Sequence, residues 1–133
     1  MYFRVYYEDT DCGGIVYHSN YLKFCERARS ELFFKNNSLP ETKEGFFVVA
    51  SIEAKFLSSA KLGDLIRIKT ETLEIKNTSL VLRQRIFLHD DCNGIDGQEI
   101  FSMDVKLAFL DRAIKKPRRI PQYILEIING SKD

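Results

Sequence analysis

The sequence predicts an α+β fold in which one long helix lies across a single, mostly antiparallel sheet. Three observations predict it. Tyr21, Phe24, Cys25, Ala28 and Leu32 recur at three- and four-residue steps, which makes one apolar stripe of a helix. Four long segments after that helix alternate apolar and polar residues, the signature of strands buried on one face. A β-rich segment precedes the helix, so the order is β-α-β-β-β-β, and packing the stripe on the sheet buries both.

The first strand is expected over Tyr2 to Glu8. Asp9 to Gly14 reads as a turn, and a helix begins near Ser19 or Asn20, both good N-caps. Asn36-Asn37 and Pro40 end it. From Phe46 to Phe56 the chain alternates, with Val48, Ala50, Ile52, Ala54 and Phe56 expected on one face. Asp64 to Lys76 is a strand whose parity slips between Ile66/Ile68 and Leu73/Ile75, and a bulge near Thr70 to Thr72 would repair the slip. After the Asn77-Thr78 turn, Leu80, Leu82, Ile86 and Leu88 form an inner face interrupted by Gln84. Asp90 to Gly97 reads as a hairpin loop; its acidic and glycine positions do not match a calcium-binding EF-hand. Phe101, Met103, Val105, Leu107 and Phe109 then alternate without a fault, and Ile124 to Ile128 forms a short final helix.

With no repeat, linker or low-complexity segment, residues 1–133 read as one domain. The 20 basic and 19 acidic residues nearly cancel, so net charge makes no case for nucleic acid or an anionic membrane. No apolar run approaches a membrane span, and Arg4 interrupts the only apolar start that could resemble a signal peptide. Cys12, Cys25 and Cys92 are odd in number and widely spaced, which favours free thiols in a reducing, cytoplasmic setting.

The chemistry concentrates between Arg4 and Tyr21. Asp11 stands on a loop just ahead of a helix N-terminus, where unpaired backbone N–H groups favour negative charge. A turn aspartate ordinarily bonds its own loop. Here the Gly13-Gly14 pair also lets backbone approach a ligand, and His18 follows at the helix start. An ester or thioester carbonyl directed at those N–H groups leaves Asp11 to attack it or to activate water. His18 is either a capping or packing histidine, or a base, a substrate orienter or the donor of a backbone N–H. Tyr7 is a core aromatic or a third participant. A Cys12–His18 nucleophile pair is the rival chemistry, and zinc on Cys12, His18, His89 and Cys92 is weaker because the spacing does not suit a metal site. No metal or cofactor is called for. Arg112, Lys115, Lys116, Arg118 and Arg119 form the one dense basic cluster, either a solvated face or a phosphate clamp for a nucleotide-bearing substrate such as coenzyme A. Arg83 and Arg85 are weaker candidates for the same role.

Arg4-Val5, Thr10-Asp11, Gly14-Ile15-Val16, His18 and Tyr21, extended by the helix from Tyr21 to Phe34 and by Arg112 to Pro121, resemble the hotdog-fold thioesterases of the 4-hydroxybenzoyl-CoA thioesterase type. The likeness is greatest to the YbgC-like bacterial acyl-CoA thioesterases associated with the Tol-Pal envelope system. It departs at Ser59, where many relatives carry proline. The resemblance implies a single hotdog domain, a long helix wrapped by a curved, mostly antiparallel five-stranded sheet. It also implies homodimers or homotetramers with active sites at subunit interfaces, Asp11 as nucleophile or general base, and the backbone N–H of His18 as oxyanion donor. Acyl-CoA is the implied substrate, with Gly14, Lys115, Lys116, Arg118 and Arg119 contacting it; acyl carrier protein and envelope or lipid-synthesis proteins are further candidate partners. Two other functions fit the same resemblance: a hotdog dehydratase, and an acyl-CoA- or carrier-protein-binding module with little turnover.

Overall fold

A computed structural model describes residues 1–130. Five strands, β1 (Tyr2–Arg4), β2 (Gly45–Phe56), β3 (Leu65–Ile75), β4 (Ser79–Asp90) and β5 (Ile95–Asp111), form one sheet in the order β1-β3-β4-β5-β2, and every pairing is antiparallel. Helix α1 (Asn20–Phe34) buries Tyr21, Phe24, Cys25, Ala28, Leu32 and Phe33 against the sheet, so the predicted stripe is the buried face. The sheet answers with Ile66, Ile68, Leu80, Leu82, Ile86 and the full series from Phe101 to Phe109. Helix α2 (Gln122–Gly130) closes the core with Ile124 and Ile128. Among the described residues no helix is long and apolar enough to cross a membrane.

Three segments depart from the sequence reading. Strand β1 stops at Arg4, because the Asp9 carboxylate accepts from the Tyr6 N–H at 2.9 Å and closes Tyr7–Asp9 into a 3-10 turn. The hairpin after β4 is tighter than expected: β4 runs to Asp90 and β5 starts at Ile95, with Gly94 at φ 67° and the Asp90 carboxylate accepting from the N–H groups of Cys92 and Asn93. The consequential departure is in β2. A bulge at Ala50, between the Val49–Leu107 and Ser51–Lys106 pairs, resets the alternation. Phe47 and Val49, rather than Val48 and Ala50, therefore share the inner face with Ile52, Ala54 and Phe56, opposite the buried Phe109, Leu107, Val105, Met103 and Phe101. The bulge in β3 lies at Leu73, one residue past the predicted window.

Gln84, the polar break in β4, is fully buried and fully engaged. Its amide nitrogen donates to the Cys25 carbonyl at 2.9 Å and the Thr70 hydroxyl at 3.2 Å, and its oxygen accepts from Arg29 at 2.8 Å.

On the outer face, Arg83 pairs with Asp104 and Arg85 with Glu99, so both arginines are spent within the sheet. Beside them Asp96 is held by Arg67 at 2.7 Å, Lys69 at 3.2 Å and His89 Nδ1 at 2.7 Å, which engages the histidine once considered for zinc. Burial by itself raises the Asp96 carboxyl, but hydrogen bonds from His89, Arg67 and Lys69 outweigh it and bring the group from 3.8 down to about 2. A depressed carboxylate stabilises the fold above its unfolded value and loses that contribution as pH falls through its folded value. Asp96→Asn is therefore expected to be less stable than wild type in urea at neutral pH, with the gap closing as pH falls from about 3.8 towards about 2. A gap that does not change with pH would show that the cluster is held by packing alone.

Candidate active site

The loop between β1 and α1 contains two aspartates in Asp9-Thr10-Asp11, and folding uses them differently. Asp9 is buried. Besides closing the 3-10 turn, its carbonyl accepts from the Tyr17 N–H at 3.0 Å and from Asn20 Nδ2 at 2.9 Å, tying the loop to the start of α1. Asp11 is exposed, and its Oδ1 accepts only from the Gly13 N–H at 2.8 Å. Gly14, at φ 81°, turns the chain back so that the Asp11 N–H reaches the Ile15 carbonyl and Thr10 bridges Val16. The loop is then clamped to the segment after β2: Val16 N–H donates to the Ala60 carbonyl, Ile15 bridges Lys61, and the Ala60 N–H donates to the Tyr21 hydroxyl at 3.1 Å. These bonds fix the connection around Ser59.

The start of α1 is open. Ser19 holds the cap position with helical backbone angles, and its hydroxyl makes no capping bond. The Asn20 side chain, the other expected cap, is committed to Asp9. No acceptor among the described residues meets the backbone N–H of His18. An uncapped helix start with free N–H groups favours a negative oxygen placed against it. The exposed His18 ring stacks at an angle on Tyr17, with centroids 4.5 Å apart, and meets Phe56 edge-on at 6.2 Å. Phe56 in turn contacts Tyr21 and Phe101. A carboxylate, a glycine turn, open N–H groups and an aromatic wall thus meet at one end of the α1–β2 pair. That set can hold a carbonyl carbon while its oxygen gains charge.

The other sequence candidates differ in their surroundings. Tyr7 is 80% exposed in the 3-10 turn, and its carbonyl, not its hydroxyl, serves the loop by accepting from Thr10. Cys12 is exposed beside Asp11. Cys25 is buried, which pushes its thiol up to about 12 and keeps it protonated. The basic cluster follows β5, at the Gly45 end of β2, whereas Phe56 and His18 lie at the far end of the same strand. Eleven strand steps separate the two ends, about 37 Å along the strand. Within the cluster Arg118 is held by Asp111 at 2.8 Å, Arg112 by Glu41 at 2.6 Å, and Lys115 folds back onto the Arg112 carbonyl and the Phe46 ring. Lys116 and Arg119 are exposed and have no side-chain partner among the described residues.

Sequence reasoning missed two residues near the site. Asp9 was visible only as part of an acidic turn. Arg29 stands next to Ala28 on the helix stripe, and a charged residue there, facing the polar break at Gln84, was the available signal.

The model of the thioesterase superfamily matches residues 13–93, a span that begins two positions after Asp11. The acyl-CoA thioesterase YbgC of Helicobacter pylori is 44% identical over 129 residues, covering 96% of this chain and 97% of that one. The acyl-CoA thioesterase YbgC of Haemophilus influenzae is 37% identical over 125 residues, covering 91% and 87%. Among solved structures, a 1,4-dihydroxy-2-naphthoyl-CoA thioesterase from Synechocystis superposes with a TM-score of 0.87 over 100% of this chain and 96% of that one; at 15% identity the likeness is one of fold.

Proposed function

Because the chain belongs to the thioesterase superfamily, we infer that it hydrolyses acyl-CoA thioesters to a carboxylic acid and free coenzyme A, with Asp11 and the start of α1 as the reacting centre. The observation that carries the assignment of the centre is the division of labour in the loop: Asp9 is consumed by folding, while Asp11 is left exposed beside an uncapped helix start. Asp11 either attacks the thioester carbon, giving an acyl anhydride that water then hydrolyses to regenerate the carboxylate, or takes a proton from a water that attacks that carbon directly. The oxygen of the tetrahedral intermediate accepts from the His18 N–H, and the thiolate of coenzyme A leaves. Gly14 keeps the loop backbone close enough for the carbonyl to enter. A colorimetric screen for thiol release across acyl-CoA esters of increasing length tests the activity. Release above the uncatalysed rate with at least one acyl class is expected, and none across the series would overturn the reading.

The working unit is a dimer joined through β2. Among the described residues that strand pairs along its length only with β5, apart from the bridge of Phe46 to Glu41, so residues 47–56 present an open edge, and Val49, Ile52 and Phe56 are exposed on its inner face. A long apolar edge of this kind is stable when it pairs with a second copy. Antiparallel pairing of two β2 strands sets the Gly45 end of one beside the Phe56 end of the other. The basic segment, too far from the reacting centre of its own subunit, then borders the centre of its partner. Of the expected phosphate contacts, Lys116 and Arg119 have the freedom to serve; Arg118 and Lys115 shape the turn that presents them. Lys116→Ala/Arg119→Ala is expected to raise KM for acyl-CoA about tenfold at low salt, less at high salt, and to leave a short acyl thioester without the nucleotide unaffected. Equal losses on both substrates would remove these residues from binding. The three free cysteines support a reducing, cytoplasmic address.

A further inference from the structure

The inner face of β2 and the flank of α1 form two walls of one trough. At one end His18 and Tyr21 meet Phe56. At the other is a cavity of about 470 Å³ lined by Phe47, Val49, Leu82 and Leu107 from the sheet and by Arg29 and Ser30 from the helix. Both ends lie on the same side of the sheet, since Phe56 and Val49 stand opposite the buried Phe101 and Leu107. Arg29 is nine residues beyond the first residue of α1, about 14 Å along the axis. Helical side chains lean towards the N-terminus, so its guanidinium leans back towards the reacting end.

Arg29 shares this lining with apolar side chains and with Glu26, Glu41 and Arg112, and among the described residues it differs from Arg112 in having no carboxylate as an ion-pair partner. It is half-buried, and among the described residues its one hydrogen bond goes to Gln84, with no carboxylate in ion-pair contact. Gln84 is itself locked by Cys25 and Thr70, so it positions the guanidinium rather than neutralising it. Of the acids that line the cavity, Glu41 is taken by Arg112, and Glu26 is exposed and acts on Arg29 only through its field. Burial lowers the Arg29 pKa, with Cys25 and Glu26 opposing it in part, and an incoming anion would offset more of that cost. A purely alkyl guest offers no acceptor to the N–H donors that Gln84 leaves free, whereas a carboxylate accepts from two of them in the planar fork that arginine offers.

We propose that the trough takes an acyl group ending in a carboxylate, that is, the CoA monothioester of a dicarboxylic acid, and that Arg29 is the residue that reads the distal carboxylate. The inference rests on the thioesterase reading for the location of the thioester, but not for the chemistry at Arg29. The hydrolysis arm compares kcat/KM for glutaryl- and adipyl-CoA with hexanoyl- and heptanoyl-CoA, their length-matched alkyl counterparts. Wild type is expected to favour the carboxylated member of each pair by about tenfold or more. Arg29→Met is expected to bring the ratio to one or below, and Arg29→Lys, which keeps the charge without the fork, to leave an intermediate ratio. The binding arm measures dissociation constants of the corresponding non-hydrolysable thioethers by calorimetry, with the same ratios expected. Failure of thiol release with every ester would overturn the thioesterase reading, and the thioether ratios would still decide the role of Arg29. Equal handling of both members by wild type, or an undiminished preference in Arg29→Met, overturns the proposal. If the methionine variant does not fold, the wild-type ratios and the lysine variant carry the test.

Discussion

Asp11→Asn is expected to lower kcat by about a thousandfold or more while leaving the fold and the oligomer intact. Asparagine is nearly isosteric, and its amide oxygen can still accept from the Gly13 N–H, the one hydrogen bond that the Asp11 side chain makes within the loop. The turn therefore keeps its shape and only the charge is lost. Circular dichroism and light scattering should match wild type, and steady-state thiol release should not. His18→Ala should cost less, about tenfold to a hundredfold, because alanine retains the backbone N–H assigned to the oxyanion. Cys12→Ser should be nearly silent, since that thiol is only an exposed neighbour of Asp11. Activity of Asp11→Asn within about threefold of wild type would remove Asp11 from the mechanism. A collapse in Cys12→Ser would instead point to the thiol as nucleophile.

A double substitution on the open strand, Ile52→Asp/Ala54→Asp, is expected to convert a dimer into monomers at micromolar concentration. Both residues lie on the inner face of β2, an edge strand whose one neighbour in the sheet among the described residues is β5. Two new charges on each copy would face one another across a two-fold axis, and juxtaposed like charges disfavour association by several kcal/mol. The β2–β5 pairing is internal to one subunit, so the folded monomer should persist. Activity on acyl-CoA should fall about tenfold or more, at least as far as in Lys116→Ala/Arg119→Ala, because the partner's Lys116 and Arg119 no longer lie near Asp11. Size-exclusion chromatography with light scattering gives the assembly state, and thiol release gives the activity. A wild-type monomer, or a monomeric variant with full activity, would sink the shared site.

Much of the fold was legible because it follows from simple periods. The helix stripe from Tyr21 to Leu32 and the alternation from Phe101 to Phe109 each bury what their pattern says they bury. Strand β2 was less legible for a physical reason. Phe46, Phe47, Val48, Val49 and Ala50 are all apolar, so a period of two cannot choose a face, and the bulge that makes the choice leaves no mark in composition. The site divides in the same way. Asp11, Gly14 and His18 are neighbours in sequence and stay neighbours in space because Asp9 ties the loop shut. Tyr7 left the strand assigned to it because a carboxylate two residues on competed for the Tyr6 N–H. The basic cluster was visible as a run of charge, but only the β2–β5 register shows how far it lies from Phe56. Arg29 stayed hidden because its importance depends on Gln84, fifty-five positions away.

The bulge at Ala50 also bears on how descendants of this sequence can change length. Strand β2 is written in two phases, and Ala50 is the punctuation between them. Loss of that single residue would remove the bulge and restore strict alternation with Phe47 and Val49 still facing inward, opposite Phe109 and Leu107. Gaining or losing two residues on either side would keep every face. Lineages related to this chain should therefore accept a one-residue gap at position 50, but gaps elsewhere inside β2 only in even steps. A chain that has lost its residue at position 50 should keep apolar residues at positions 47 and 49 with no compensating change at positions 46 to 49.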